Sequence, residues 1–216
     1  MKLYTHALSP FSAKVRVALA EKGVRADEER LPITRAGVGR KPKELLDANP
    51  RGQVPTLVDG DLVLYDSTVI LEWLEERTPK PPLLPAGVAA RARARLLEDD
   101  ADWLMTTAVA DLLAEVYRKT DPATRDAAKV AAASEAIRRA HDRLEGVLAD
   151  GREYLCGPFG IADIAWVLPV SFAAFYGVSA GETHRRLSAW LARMAARPSV
   201  ANETRAMTEA LRGLPD

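Results

Sequence analysis

The pair best equipped for chemistry in this chain is Asp66-Ser67, at the junction between two apolar runs of different period. Upstream, Val54-Pro55-Thr56-Leu57-Val58 and Leu62-Val63-Leu64-Tyr65 flank Asp59-Gly60-Asp61, the pattern of a β-hairpin with a tight turn. Downstream, Val69-Ile70-Leu71 with Trp73-Leu74 takes up helical spacing. Ser67 therefore falls where a helix presents unpaired N–H groups and the positive end of its dipole, a place that suits an anion. An α-amino acid head group matches both residues: its carboxylate takes the N–H groups and the Ser67 hydroxyl, and its ammonium takes the Asp66 carboxylate. The same pair also reads as a plain helix N-cap. Pro55, opening the first strand, withholds an N–H and leaves the backbone of Val54 to point elsewhere.

Other chemistries are poorly provided for. Gly37-Val38-Gly39 resembles the start of a phosphate loop, but neither a third glycine nor a lysine-hydroxyl pair follows. The lone cysteine, Cys156, excludes an internal disulfide and reads as a small buried hydrophobe, and His6, His141 and His184 have no metal-ligand spacing. Thirty basic and thirty acidic residues cancel, so bulk charge calls for neither nucleic acid nor an anionic membrane. No apolar run approaches a membrane span, and the first residues lack a signal-peptide core, which points to a cytoplasmic location.

The elements that must position Asp66-Ser67 begin with a short strand over residues 2 to 5. Ser9-Pro10 then has the form of an N-cap followed by proline at the first helical position, and Lys22-Gly23 closes that helix. Ala26 to Ile33 reads as one exposed edge strand, Thr34 to Arg40 as a loop, and Lys43 to Leu46 as a short helix before the turn Asn49-Pro50-Arg51-Gly52. The order strand, helix, strand, helix, hairpin, helix defines an α/β unit with a parallel crossover and an antiparallel edge.

Four prolines between Pro79 and Pro85 end this pattern. The expected domains are 1–78, a linker over 79–86, and 87–216. The last is helical throughout: Leu97, Ala101, Leu104, Ala108, Leu112 and Val116 mark a helix of roughly 30 residues. Val130, Ile137, Leu144 and Leu148 mark a second. Ile161, Ile164, Leu168, Phe172 and Phe175 mark a third, expected to be central, wholly buried and kinked at Pro169. Leu187, Trp190, Leu191 and Met194 mark a fourth, and Val200 to Leu211 a short last one.

Taken together, Leu8-Ser9-Pro10-Phe11-Ser12, Asn49-Pro50-Arg51-Gly52-Gln53-Val54-Pro55, Asp66-Ser67, the proline-rich linker and Gly160-Ile161-Ala162-Asp163-Ile164 resemble a cytosolic-type, serine-type glutathione S-transferase over essentially the whole chain. The resemblance implies a thioredoxin-like N-terminal domain, an all-helical C-terminal domain and a homodimer. It implies glutathione as co-substrate, without a metal, and conjugation of its thiolate to hydrophobic electrophiles, a detoxification chemistry. Alternatives are a glutathione-dependent isomerase or dehalogenase, or a non-catalytic module that binds a protein partner.

Residue by residue, Val54-Pro55 matches the family's cis-proline turn, whose upstream backbone pairs with the cysteinyl part of glutathione. Asp66 and Ser67 match the clamp on the γ-glutamyl head, with Gln53 beside it and Phe11 nearby. Lys41, or else Arg40, matches the residue that meets the glycyl carboxylate. Ser9 matches the hydroxyl that activates sulfur, with Ser12 one turn on as the other candidate: a donated hydrogen favours a thiolate over a thiol whose ordinary pKa is about 8.5. The electrophile is expected against Leu8, Phe11, Trp103, Thr106, Thr107, Ala110, Tyr117 and Trp166. Glu98, Asp99, Asp100 and Asp102 match a region by the family's two-fold axis. Gly160 departs from the usual hydroxyl residue, so the cap at Asp163 is expected to be one-sided.

Overall fold

A computed structural model of the chain describes residues 1–34 and 37–213. The chain divides into two compact units, Met1–Leu83 with Arg197–Asp216, and Leu84–Ala196.

The first unit is built on a four-stranded mixed sheet. Strand β1 (Lys2–Thr5) leads through helix α1 (Pro10–Glu21) to β2 (Asp27–Arg30), which lies parallel to β1 at the sheet's edge. β5 (Thr56–Asp59) pairs antiparallel with β1, placing Leu3 opposite Leu57, and β6 (Leu62–Tyr65) closes the hairpin. Only Gly60 and Asp61 separate Asp59 from Leu62, and Gly60 has a φ of 63°, which glycine adopts without a Cβ penalty. α1 packs against α3 (Ser67–Arg77). Tyr4, Leu31 and Leu45 form a buried cluster with Val54 and Val58 against it, and Leu45 is supplied by the short helix α2 (Lys43–Ala48).

Two local expectations change here. The stretch 26–33 is not one strand: Pro32 has no N–H to continue the ladder after Leu31 N–H reaches Thr5 O (2.7 Å), so β2 ends at Arg30. Ile33–Thr34 (β3) instead pairs antiparallel with Gly37–Val38 (β4), where a loop was expected; residues 35 and 36 of that loop lie outside the described residues.

A buried ion pair fixes the chain after α3. Lys22 Nζ donates to Glu75 Oε2 (2.7 Å), Thr78 O (2.7 Å) and Pro81 O (3.0 Å), and Glu75 Oε2 also accepts from Leu83 N (2.9 Å). All three ammonium hydrogens are matched, which offsets the desolvation of the charge. Residues 78–83 are thus held to the first unit. So is the last helix, α9 (Pro198–Arg212), which the sequence assigns to the helical domain: Arg16 pairs with Glu203, and Arg197 Nη2 with Glu21 Oε2 (2.6 Å).

In the second unit α4 (Val88–Leu104) packs along α7 (Ile161–Phe175). α4 runs on through a π-helical stretch Met105–Val109, one α turn α5 (Ala110–Leu112) and a second π-helical stretch Leu113–Arg118. The expected long helix is therefore continuous but not regular. At the first wide turn Thr106 Oγ1 donates to Asp102 O (2.8 Å) and Thr107 Oγ1 to Trp103 O (2.7 Å), side-chain bonds that compete with the helical ladder. α6 (Ala127–Val147) and α8 (Arg185–Ala196) complete the packing.

α7 is buried on all sides from Ile161 to Val170 but emerges at Ser171, so it is not wholly buried. Phe172 and Phe175, expected in the core, stack with Tyr117 and Tyr176 instead, at ring separations of 5.3–6.4 Å. At the other end the buried Asp163 accepts from Leu155 N (2.9 Å), Gly160 N (3.1 Å) and Trp190 Nε1 (2.8 Å). Gly160 has no side chain to return the bond, so the cap is one-sided. Burial pushes the Asp163 carboxyl up to about 6 against the pull of those donors. Of the acidic run, Glu98 is buried and Asp100 pairs with Arg143.

Candidate functional site

Two helix N-termini in the first unit carry the candidate residues. Ser9 caps α1: its Oγ accepts from Ser12 N (3.1 Å), Pro10 occupies the first helical position, and Ser9 N donates to His6 O (3.2 Å). Because the cap uses only the oxygen lone pair, the hydroxyl hydrogen of Ser9 is free to donate. Ser12 differs. Its side chain is 0% exposed and its Oγ has no hydrogen-bond partner among the described residues. Both side chains are buried, Ser9 at 3% and Ser12 at 0% exposure, so what separates them is bonding: Ser9 is anchored as an acceptor with a donor to spare, and Ser12 has no partner among the described residues.

At α3 the residue that caps is Asp66, and Ser67 is the first helical residue. Asp66 has a φ of 81°, the one positive φ among the described non-glycine residues. Such a backbone costs roughly 1–3 kcal/mol and persists only where the surroundings impose it. It swings the Asp66 side chain over the helix end, where Oδ1 accepts from Thr68 N (2.9 Å) and Val69 N (3.3 Å). This corrects the expectation that those N–H groups await a ligand. Among the described residues Asp66 accepts through Oδ1 alone and leaves the N–H of Ser67, at the first helical position, untaken. Asp66 is exposed while Ser67 is buried beneath it.

Between these helices lies the turn Gln53-Val54-Pro55, with a cis peptide bond at Val54–Pro55. Its brace was not recognised from sequence. Asn49, fully buried, donates through Nδ2 to Gln53 O (3.1 Å) and Thr56 Oγ1 (2.9 Å) and accepts at Oδ1 from Arg51 N (3.0 Å). Thr56 Oγ1 in turn donates to Gln53 O (2.8 Å). The available signal was an asparagine opening the Pro50-Arg51-Gly52 turn, since Asn side chains bond their own backbone there. Gln53 itself is exposed.

Gly52 sets where Lys41 lies. With φ at 57°, which favours glycine, a Cβ at Gly52 would come 2.9 Å from Leu46 Cδ2 and 3.3 Å from Lys41 Nζ, so the ammonium rests against this turn. Lys41 and Arg40 both line a depression of about 330 Å³ with Glu29, Arg30 and Pro42, but only Lys41 is set against Gly52. Leu8 and Phe11 are half-buried on either side of Ser9.

The candidates of the second unit divide. Trp103 is 62% exposed, and Ala110 and Tyr117 are half-buried. The hydroxyls of Thr106 and Thr107 are engaged by backbone carbonyls. Trp166 lies in the fully buried part of α7, 2% exposed, and is part of the core of the second unit, not of its surface.

His6, set aside from sequence as metal-free, instead helps to build the Ser9 turn. Its Nδ1 accepts from Leu8 N (3.2 Å), which leaves the ring proton on Nε2. Burial, and then the Arg16 guanidinium, hold it down at about 4, so the ring is neutral at pH 7.

A mixed four-stranded sheet with a cis-proline turn and two capped helices, in one chain with a helical unit, is the thioredoxin-like plus all-helical fold class. The comparisons agree: residues 8–77 match the glutathione S-transferase N-terminal domain and residues 103–198 the glutathione S-transferase C-terminal domain. The chain belongs to the glutathione S-transferase family. A glutathione S-transferase from Rhodospirillum rubrum F11 is similar in structure, with a TM-score of 0.79 and 30% identity over 94% of this chain and 90% of that one. So is the theta class enzyme of Xanthomonas axonopodis pv. citri, solved with glutathione bound, with a TM-score of 0.78 and 28% identity over 94% and 95% of the two chains. Among curated relatives, a stringent starvation protein A homolog of Coxiella burnetii is 47% identical over 97 residues, 45% of this chain and 44% of its own length. The chain thus spans about half the length of the curated relatives it matches.

Proposed function

We propose that the chain is a glutathione transferase that binds glutathione at the two helix N-termini of the first unit and transfers its thiolate to apolar electrophiles. The observation that carries this reading is the state of the two caps: among the described residues Ser9 Oγ serves only as an acceptor, and Asp66 bonds through Oδ1 alone, which leaves the Ser9 hydrogen, the second Asp66 oxygen and the Ser67 N–H for a ligand. The γ-glutamyl ammonium meets Asp66 and its carboxylate meets Ser67. The backbone of Val54 pairs with the cysteinyl part, Gln53 lies beside it, and Lys41 takes the glycyl carboxylate.

Ser9 donates its hydrogen to the sulfur, and the dipole of α1 adds in the same direction, so the thiol gives up its proton more readily than in water. The thiolate then forms a carbon–sulfur bond to the electrophile, which expels a leaving group or takes up a proton. Leu8 and Phe11 offer apolar surface beside the sulfur. Ser12 is the weaker candidate because its hydroxyl has no partner among the described residues to anchor it.

Isothermal calorimetry with glutathione tests the reading. Saturable heat with a Kd below millimolar is expected, and no binding at millimolar ligand overturns it. Assays with a chloronitrobenzene, an alkyl halide and a maleyl compound then separate conjugation from dehalogenation and isomerisation. We also infer a cytoplasmic homodimer, and sedimentation as a monomer at micromolar concentration would refute the assembly.

A further inference from the structure

We propose that Arg16, clamped by Glu203 of α9, is a positioning residue that fixes the turn carrying Ser9. The inference rests on the reading of Ser9 above, but its geometry is independent of any ligand. Arg16 lies on α1 two turns beyond Ser9 and on the same face. Its guanidinium is nearly buried, with the side chain 9% exposed, and its donors are distributed in two directions. Nε donates to Glu203 Oε2 (2.9 Å) and Nη2 to Glu203 Oε1, a bidentate fork on one carboxylate. Nη1 turns the other way, to Thr5 Oγ1 at the end of β1 and to His6 O (3.4 Å).

His6 O is the acceptor that also receives Ser9 N–H, and His6 Nδ1 receives Leu8 N–H. One guanidinium therefore joins the end of β1, the carbonyl that orients Ser9 and the last helix of the chain. The planar fork matters, because a lysine at the same place cannot hold Glu203 and reach Thr5 and His6 O together. α9 thereby reaches the Ser9 turn through Arg16.

The structure also contains its own control. A second ion pair, Arg197 with Glu21, ties α9 to α1 near the opposite end of α1, and Glu21 makes no contact with the Ser9 turn. Glu203→Gln and Glu21→Gln each weaken one tether of α9. If Arg16 positions Ser9, Glu203→Gln lowers kcat for glutathione conjugation at pH 7 on the order of 10-fold and leaves the glutathione KM within about twofold. Amide hydrogen exchange at Leu8 and Ser9 speeds by a similar order of magnitude in that variant. Glu21→Gln lowers the unfolding midpoint but moves neither kcat nor those two amides.

Arg16→Lys carries the same expectation as Glu203→Gln, and serves if the latter fails to fold. Equal effects of Glu203→Gln and Glu21→Gln, or unchanged exchange and kcat in Glu203→Gln and Arg16→Lys, overturn the proposal. A parent protein that binds no glutathione defeats the functional reading alone, because exchange at Leu8 and Ser9 still decides the positioning role.

Discussion

Asp163 and Asp66 each stand at the start of a helix and each accept backbone N–H groups, yet they end in opposite states. Asp163, in the second unit, is buried and has both oxygens bonded, with Trp190 as a further donor. Asp66, in the first, is exposed, bonds through one oxygen, and holds a backbone angle that its residue type disfavours. A saturated, sealed carboxylate stabilises a fold. A half-used, strained and accessible one keeps an oxygen for the ligand that the proposed function assigns to it. The two serines of α1 also differ in bonding, with Ser12 unpartnered among the described residues and Ser9 anchored but still able to donate.

The strongest way to break this comparison is to remove both charges. Asp163→Asn turns one acceptor oxygen into a donor facing other N–H groups and weakens the rest, which should cost roughly 3–5 kcal/mol of stability in urea unfolding, about two charge-assisted bonds. Asp66→Asn should move stability by less than about 0.5 kcal/mol, because asparagine caps helices as well as aspartate and tolerates positive φ. Equal losses in the two variants would erase the distinction.

Glutathione affinity sharpens it from the other side. Asp66→Asn and Ser67→Ala should each weaken binding by roughly 10- to 150-fold, the loss of a hydrogen bond to a charged group of about 1.5–3 kcal/mol. Parent-like affinity in either would reduce the pair to a helix cap.

A sealed group without partners is the converse of Asp163, and His141 provides one: it is fully buried with neither ring nitrogen bonded among the described residues. Burial, and then His184 at an edge-on ring separation of 5.8 Å, hold His141 down at about 4. A base with a depressed folded pKa takes up its proton more readily when unfolded, so its contribution is full above about 6.5 and is lost as pH falls toward 4. The stability of the parent relative to His141→Phe should therefore fall by about 2 kcal/mol between pH 7 and pH 5. A gap that does not change with pH would mean that His141 is not titrated by unfolding.

How much of this was legible from sequence depends on the range of the interaction. The Ser9 cap was readable because serine, proline and the helix they open are adjacent, and the hairpin because Asp59-Gly60 sits between two apolar runs. The strain at Asp66 was not, since nothing in an aspartate announces a φ that glycine would adopt freely. The place of Asp66-Ser67 between a strand and a helix was readable, but the allocation of the N–H groups there was not, because that depends on the same angle. At the first wide turn of the long helix threonine hydroxyls bond to backbone carbonyls, against an apolar period that continues through it. The clamp of Arg16 on Glu203 joins residues 187 positions apart, beyond any local pattern.

The central claim is that Ser9 donates a hydrogen to the sulfur of bound glutathione, and the thiolate's ultraviolet absorbance, followed against pH in the parent and in Ser9→Ala, tests it most directly. The account predicts a bound thiol pKa below the ordinary value of about 8.5 in the parent, raised by one to two units in Ser9→Ala, about 1.4–2.7 kcal/mol, with glutathione still bound. An unshifted thiol in the parent, or the same pKa in both proteins, would contradict it, and a rise in Ser12→Ala alone would transfer the role to Ser12.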